Sequence, residues 1–434
     1  MIALFGSAGG AAAGSADARP VRVLVVKMTW GPQPFSDTDV DATAQTTSAF
    51  YATASYGQVS VAFDQTPWLT TLSGPPPCSS PADILALAPR LAALAAGAGY
   101  SVSGYDRAIF LFPDSGCLFA GVTNPDGIVL NGAFNAALVI HELGHSFGMG
   151  HANAFVCRYN LPPSNGRFCH GVLYGDVWDV MGAEGDTTFE GQPIGDFGAL
   201  QKARAGWLTS YLPISKPGVY QLAQLEQAST LPQALVIQTA GFQYWVDHRE
   251  PVGNDAYLAQ SLTTLTGEVT TGFEVHRVTG DPLAAPASTL TPDYLMPRGK
   301  KNLYSTPPGA TFTRPGAFAL TALSRSAGTM TVRFHWTDHT PPSTPLITKP
   351  PATAPLGAPV EVAWRASRDT GTGVQEYLLT IDGGPPTTVP ASPAQKTLDL
   401  PVPGLSVGRH RITIVAVDYA GNRSSPATRS FNLR

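Results

Sequence analysis

His141-Glu142-Leu143-Gly144-His145-Ser146-Phe147-Gly148-Met149-Gly150-His151 is the stretch from which the rest of this chain can be read. It fits H-E-x-x-H-x-x-G-x-x-H, and each fixed position has a mechanical reason. Residues four apart share one face of a helix, so His141 and His145 can aim both imidazoles at one point. Glu142 is offset from them, placed to reach a water on a metal rather than the metal itself. Gly148 can take positive φ, which ends the helix and turns the chain back. That reversal brings in His151 as a third ligand. Three protein ligands leave one tetrahedral position open, the arrangement of a catalytic zinc site rather than a closed structural one.

Upstream, Gly132-Ala133-Phe134-Asn135-Ala136-Ala137-Leu138-Val139-Ile140 leads into His141 with good helix formers, so the spacing predicts one helix running from this segment through the histidines. The apolar run from Ile128 is too short to span a bilayer and ends in charged or polar ligands. Downstream lies Tyr174-Gly175-Asp176-Val177-Trp178-Asp179-Val180-Met181-Gly182. A thioether is polarizable and adaptable, so Met181 suits a place beneath imidazoles where it would not compete as a hard ligand.

With these two segments the chain resembles the metzincin zinc endopeptidases, in which a tight turn carrying a Met lies beneath the metal-binding histidines. Within that clan it is most similar to gametolysin-like peptidases, through Ala54-Ser55-Tyr56-Gly57-Gln58-Val59-Ser60-Val61, the extended motif with His151-Ala152, and Asp179-Val180-Met181-Gly182. The likeness covers residues 20–210 well and 211–338 weakly. It implies a catalytic Zn²⁺ on His141, His145 and His151, Glu142 as general base and Met181 as the turn methionine. Two departures stand out. Some metzincins carry a tyrosine ligand two residues after the Met, where this chain has Ala183, so no tyrosine ligand is assigned. The clan's thiol-based latency needs an N-terminal Cys, and the first cysteine here is Cys78.

Composition agrees with a secreted, strand-rich protein. Charged residues make up 13% of the chain, against a usual ~25%. Gly (44) and Pro (39) are abundant, which favours loops and strands over a helical bundle. A net charge of −4 with no basic run gives nucleic acid nothing to bind. Cys78, Cys117, Cys157 and Cys169 form an even set open to three pairings. We expect Cys157–Cys169, closing a loop between the third histidine and the Met181 segment, and Cys78–Cys117; the rival is a set of free or metal-binding thiols, for which no C-x-x-C spacing exists. Residues 1–19 are rich in Ala, Gly and Ser and include Ala16-Asp17-Ala18, a small-residue cleavage pattern, but lack a basic start. They read as a signal-peptide remnant or a disordered tail.

The predicted fold class is α+β. A metzincin-like domain of mixed sheet plus active-site helix (20–210) precedes a β-rich companion domain (211–338), a Pro-rich linker (339–359) and an immunoglobulin-like or fibronectin type III-like sandwich (360–434). In the first domain, strands are expected at Val21–Met28, Val59–Phe63 and Asp106–Phe112, with helices at Asp39–Tyr56, Pro81–Gly97 and Gly195–Trp207. His248 and His276, on predicted strands, read as ordinary strand histidines outside any ligand cluster. The S1′ pocket is expected between His151 and Gly182. Structural Ca²⁺ has no EF-hand or repeat spacing behind it.

The expected function is a secreted zinc metalloendopeptidase, monomeric and without a membrane span. Its expected partner is a protein or peptide substrate, with extracellular-matrix or cell-wall glycoproteins as the class to test. The alternative is a non-catalytic extracellular adhesin or binding protein with a structural zinc site. Against it stands Glu142, which a structural site does not need.

Overall fold

Apolar runs bury both faces of the first sheet. In the computed structural model, which describes residues 20–157, 169–182, 194–259, 272–284, 292–298, 304–356, 360–391, 397–402 (backbone) and 404–434, its strands are β1 (Val21–Lys27), β2 (Val61–Gln65), β3 (Arg107–Phe112), β4 (Gly121–Asn124) and β5 (Gly127–Asn131). Their order is β2-β1-β3-β5-β4, parallel except for the antiparallel edge strand β4. Alternation divides the side chains. Val23, Val25, Ile109, Leu111, Ile128 and Leu130 pack with residues of helices α1 (Asp37–Ala54) and α3 (Ala136–Ser146). Leu24, Val26, Ala108, Phe110, Phe112 and Val129 pack with α2 (Pro81–Gly97) on the other face. Capping boxes start α1 and α2: Ser36 pairs with Asp39, and Ser80, followed by Pro81, pairs with Asp83.

From His151 the chain builds two further sheets. Their elements are β6 (Ala152–Cys157), β7 (Cys169–Val172), α4 (Ala199–Arg204), β8 (Tyr211–Ile214), β9 (Gly218–Ala223), β10 (Ala234–Thr239), β11 (Phe242–His248), β12 (Phe273–Thr279), β13 (Asp293–Leu295), β14 (Thr311–Arg314), β15 (Phe318–Ser326) and β16 (Thr329–Trp336). A seven-stranded sheet has the order β7-β6-β13-β12-β11-β10-β8, and a four-stranded sheet β14-β15-β16-β9 packs on it. Leu235, Ile237, Tyr244, Val246, Phe273 and Val275 of the first meet Phe312, Leu320, Val332 and Phe334 of the second. The opposite face of the seven-stranded sheet carries Val236, Trp245 and Val278 against α4.

The C-terminal sandwich joins a sheet of β17 (Leu346–Lys349), β19 (Val360–Arg365) and β22 (Thr397–Val402) to one of β18 (Thr353–Ala354), β20 (Val374–Ile381), β21 (Thr387–Pro390), β23 (Gly408–Asp418) and β24 (Ala427–Leu433). Trp364, Tyr377, Ile412, Ile414 and Phe431 fill its core. The whole is a mixed α+β protein dominated by sheet. Both expected disulfides are formed: Cys78–Cys117 and Cys157–Cys169. No helix among the described residues is long and apolar enough to cross a membrane.

Four expectations change. The run before His141 is not one helix: Ile128–Asn131 belongs to β5, and the helix begins only at Ala136, where the Asn135 side chain accepts from Leu138 N at 3.0 Å. The Gly195–Trp207 helix shrinks to Ala199–Arg204, because carboxylates hold the preceding backbone extended: Asp255 accepts from Asp196 N, Asp179 from Gly198 N and Asp247 from Ala199 N. The boundary drawn at residue 210 runs through a continuous sheet, since β6 pairs with β13. Within the span read as linker, β17 and β18 pair into the sandwich, extended backbone near prolines being suited to edge strands. Residues 1–19 and Ala183 lie outside the described residues.

Candidate metal centre

Helix α3 delivers His141 and His145 from one face, and the chain turns at Gly148, whose φ of +88° a side chain would resist. His151 arrives immediately before β6, where Gln201 Oε1 accepts from Gly150 N at 3.1 Å and steadies the turn. One ligand nitrogen from each of His141, His145 and His151 falls within a set spanning no more than 4.8 Å. Ring centroids lie 4.8 Å apart for His141–His145, 4.7 Å for His145–His151 and 5.4 Å for His141–His151.

Backbone carbonyls fix the tautomers. His141 Nδ1 donates to Val180 O at 2.9 Å and His145 Nδ1 to Met149 O at 3.0 Å. The lone pair of each ring is thereby assigned to Nε2, as an imidazole ligand requires. Burial lowers His141 to about 4. Burial and then neighbouring imidazoles lower His151 to about 3 and carry His145 well below its ordinary value. The imidazoles are therefore neutral at physiological pH, ready for a cation.

Glu142 is buried beside them, and Thr123 Oγ1 of β4 meets its Oε2 at 2.6 Å and its backbone carbonyl at 2.8 Å. Burial raises Glu142 to about 7, against the opposing Thr123 hydrogen bond. Gly121, also on β4, leaves the room this carboxylate occupies: a Cβ there would stand 2.5 Å from Glu142 Oε1.

Asp179-Val180-Met181-Gly182 supports the helix from below. Asp179 Oδ1 accepts from Met181 N at 2.7 Å, and Val180 supplies the carbonyl for His141. Met181 is fully buried with its sulfur against Gly144, where a Cβ would come within 2.7 Å of it. Gly182 passes so close to Asp176 O and Ala152 O that a side chain there would collide with both. From the other side, Tyr51 of α1 donates to Ile140 O at 2.7 Å.

Three contributors escaped the sequence reading: Gly121, Thr123 and Tyr174. The Tyr174 ring lies 4.2 Å from that of His151 and 6.0 Å from that of His141. Burial, then the Glu142 charge, pushes its phenol up to about 12, so it stays a proton donor. Tyr174 has φ +58° and Gly121 and Thr123 sit on a short edge strand, so no motif spacing announces any of them.

His248 is an ordinary strand histidine, bonded to Gly272 O and Glu250. His276 is not. It belongs to a buried group with Asp247 and Glu274, because strand pairing places residues together that sequence spacing keeps apart. A further acidic group, Asp338, Asp369 and Asp418, has hydrogen bonds from Thr372, Gly371, Gly373 and Asn422 to its carboxylates.

No protein-family model matches this chain, and no curated protein does. Among solved structures, OgpA from Akkermansia muciniphila aligns over 97% of both chains at 10% identity with a TM-score of 0.26. Fibronectin(III)-like modules of Clostridium thermocellum CbhA align over 21% of this chain and 95% of theirs at 16% identity, TM-score 0.17. The SrpA adhesin of Streptococcus sanguinis aligns over 23% of this chain and 60% of its own at 27% identity, TM-score 0.18. Scores this low establish neither a shared fold nor a shared activity.

Proposed function

We propose that this protein is a secreted zinc-dependent endopeptidase of the metzincin type, holding Zn²⁺ on His141, His145 and His151. One observation carries the reading: three neutral imidazoles converge, two with Nδ1 tied to carbonyls, beside a buried carboxylate that is no member of the ligand set. A structural site has no use for that carboxylate. The donor set fits the ion, since imidazole nitrogens suit zinc and the group offers three ligands rather than four.

When bound, zinc supplies Lewis acidity, acidifying water and polarising a carbonyl. Glu142 takes the proton from the attacking water and returns it to the leaving amine. Thr123 and the space at Gly121 keep the Glu142 carboxylate oriented for that exchange. Tyr174, whose ring stands beside that of His151, would serve as a donor to oxygen charge developing on the substrate. Among the described residues β4 is an edge strand, which suits an extended peptide adding as a further strand. The two disulfides are consistent with an oxidising compartment, and hence with secretion.

The test uses a generic unfolded protein as substrate. Wild type should cleave it, chelator should abolish cleavage and zinc should restore it. Glu142→Gln should retain zinc and lose about 10²–10⁴-fold in kcat. Full activity in the zinc-loaded variant overturns the assignment of Glu142, and no cleavage by zinc-loaded wild type favours a binding protein.

A further inference from the structure

The seven-stranded sheet buries a second set of chemistry-bearing side chains that the proposed reaction does not use. On the face toward the Met181 turn, Asp247 of β11 stands directly across from Glu274 of β12, with His276 two residues further along. Asp293 of β13 and Asp176, from the loop before Met181, face His276, and all five residues are at most 2% exposed. One ligand atom from each of Asp247, Glu274 and His276 lies within 4.8 Å of the others.

Most of their hydrogen-bonding capacity is unspent. Asp247 Oδ1, both Glu274 carboxylate oxygens and both His276 ring nitrogens have no hydrogen bond among the described residues. His276 meets the carboxylates only at ion-pair range: Nε2 is 3.9 Å from Asp247 Oδ1, and Nδ1 is 3.3 Å from Asp293 Oδ1 and 3.8 Å from Asp176 Oδ2. Arg249 is an ion-pair partner of Glu274 but gives it no hydrogen bond. Its Nη1 bonds Asp255, Trp178 O and Asp196 O, while its Nε stands 3.5 Å from Glu274 Oε2 without hydrogen-bond geometry.

Charge and chemistry converge. Among the described residues, Asp176, Asp247, Asp255, Glu274 and Asp293 share this buried patch with Arg249 and His276, and Arg204 adds its charge near Asp293, so carboxylates outnumber the basic groups. Uncompensated buried charge is strongly unfavourable, and a divalent cation would remove the excess and engage the orphaned atoms together. Carboxylates and an imidazole form a donor set for zinc or manganese; an imidazole is foreign to calcium, and thiolates are absent from the set. The 3.3 Å approach of Asp293 to Nδ1 is the setting of a metal-bound histidine whose other nitrogen faces a carboxylate.

We propose that Asp247, Glu274 and His276 form a second, structural divalent-metal site, backed by Asp293, that fastens the Met181 turn and α4 to the sheet. Asp247 Oδ2 accepts from Ala199 N of α4 at 2.9 Å, and Asp176 of the turn segment lies 3.8 Å from His276 Nδ1 on the sheet.

The experiment measures metal content of the purified full chain, loaded with Zn²⁺ or Mn²⁺ and desalted. Two equivalents are expected in wild type, and one each in His145→Ala and Glu274→Gln. Independently of Glu274→Gln folding, the His145→Ala chain titrated with Co²⁺ should develop visible d–d absorption saturating at one equivalent. A single equivalent in wild type that disappears in His145→Ala, with no cobalt spectrum in that variant, overturns the second site and leaves His276 as an imidazolium counter-ion. One equivalent retained in His145→Ala alongside zinc-loaded wild type that cleaves nothing defeats the peptidase reading and supports the second site.

Discussion

Gly121 shows how one missing side chain can shape a candidate catalytic group. The space that a methyl would fill is taken by the Glu142 carboxylate, and Thr123 on the same strand holds its Oε2. Gly121→Ala should therefore push the carboxylate off its position while the imidazoles stay where Val180 and Met149 hold them. We expect zinc content to remain near wild type and kcat to fall at least about tenfold, within the reach of general-base misplacement. Unchanged kcat would mean that Glu142 has room to relax. His141, Glu142 and His145 were legible because helical spacing aligns them, and His151 because Gly148 announces the turn that returns the chain. Gly121, Thr123 and Tyr174 were not, because their relation to Glu142 and His151 comes from a neighbouring strand and a turn.

At the scale of elements, the pairing of β20 with β23 carries its own titration. Asp382, just beyond β20, accepts from His410 Nδ1 at 2.7 Å, while His410 Nε2 donates to Ser406 O at 2.8 Å. The Asp382 bond, helped by Ser406, holds the imidazolium above its ordinary 6.5, and His410 with Arg411 N holds Asp382 below 3.8. A raised histidine contributes fully below pH 6.5 and fades as pH rises through its folded value. A lowered carboxylate contributes above 3.8 and fades as pH falls. The pair should thus stabilise the sandwich most between about pH 4 and 6.5, by a few tenths to about 1 kcal/mol given the exposure of Asp382. His410→Gln should flatten that dependence, and NMR titration of His410 should give a midpoint above 6.5. A midpoint at or below 6.5 would count against the ion pair. Strand positions here were readable from alternation, but the His410–Asp382 partnership depends on register.

For the whole molecule, the seam between the β-rich body and the sandwich is centred, among the described residues, on Asp338 and Thr372. Asp338 Oδ2 accepts from Thr372 N at 2.7 Å and Thr372 Oγ1 at 2.8 Å, Asn422 Nδ2 donates to Asp338 O, and Ala240 N donates to Thr372 O. Tyr419 and Ala420 pack against the body's core. Asp338→Ala should strip buried donors of their acceptor, weaken the seam by about 1–3 kcal/mol and split calorimetric unfolding into two transitions. A single transition at the wild-type temperature would show that the apolar contact alone holds the parts together.

The sequence by itself determined what repeats locally. Helical spacing placed His141, Glu142 and His145, alternation placed most strands, and the even cysteine set was read into the two pairs that the structure contains. Only tertiary structure decided which distant segments meet. It ran one sheet across residue 210, set Met181 under Gly144, put Gly121 and Thr123 beside Glu142, and turned His276 from a strand histidine into the centre of a buried acidic group. The physical reason is range. Backbone periodicity acts over a few residues and is written in the local pattern, whereas β-pairing and close packing join residues by register and shape across the chain.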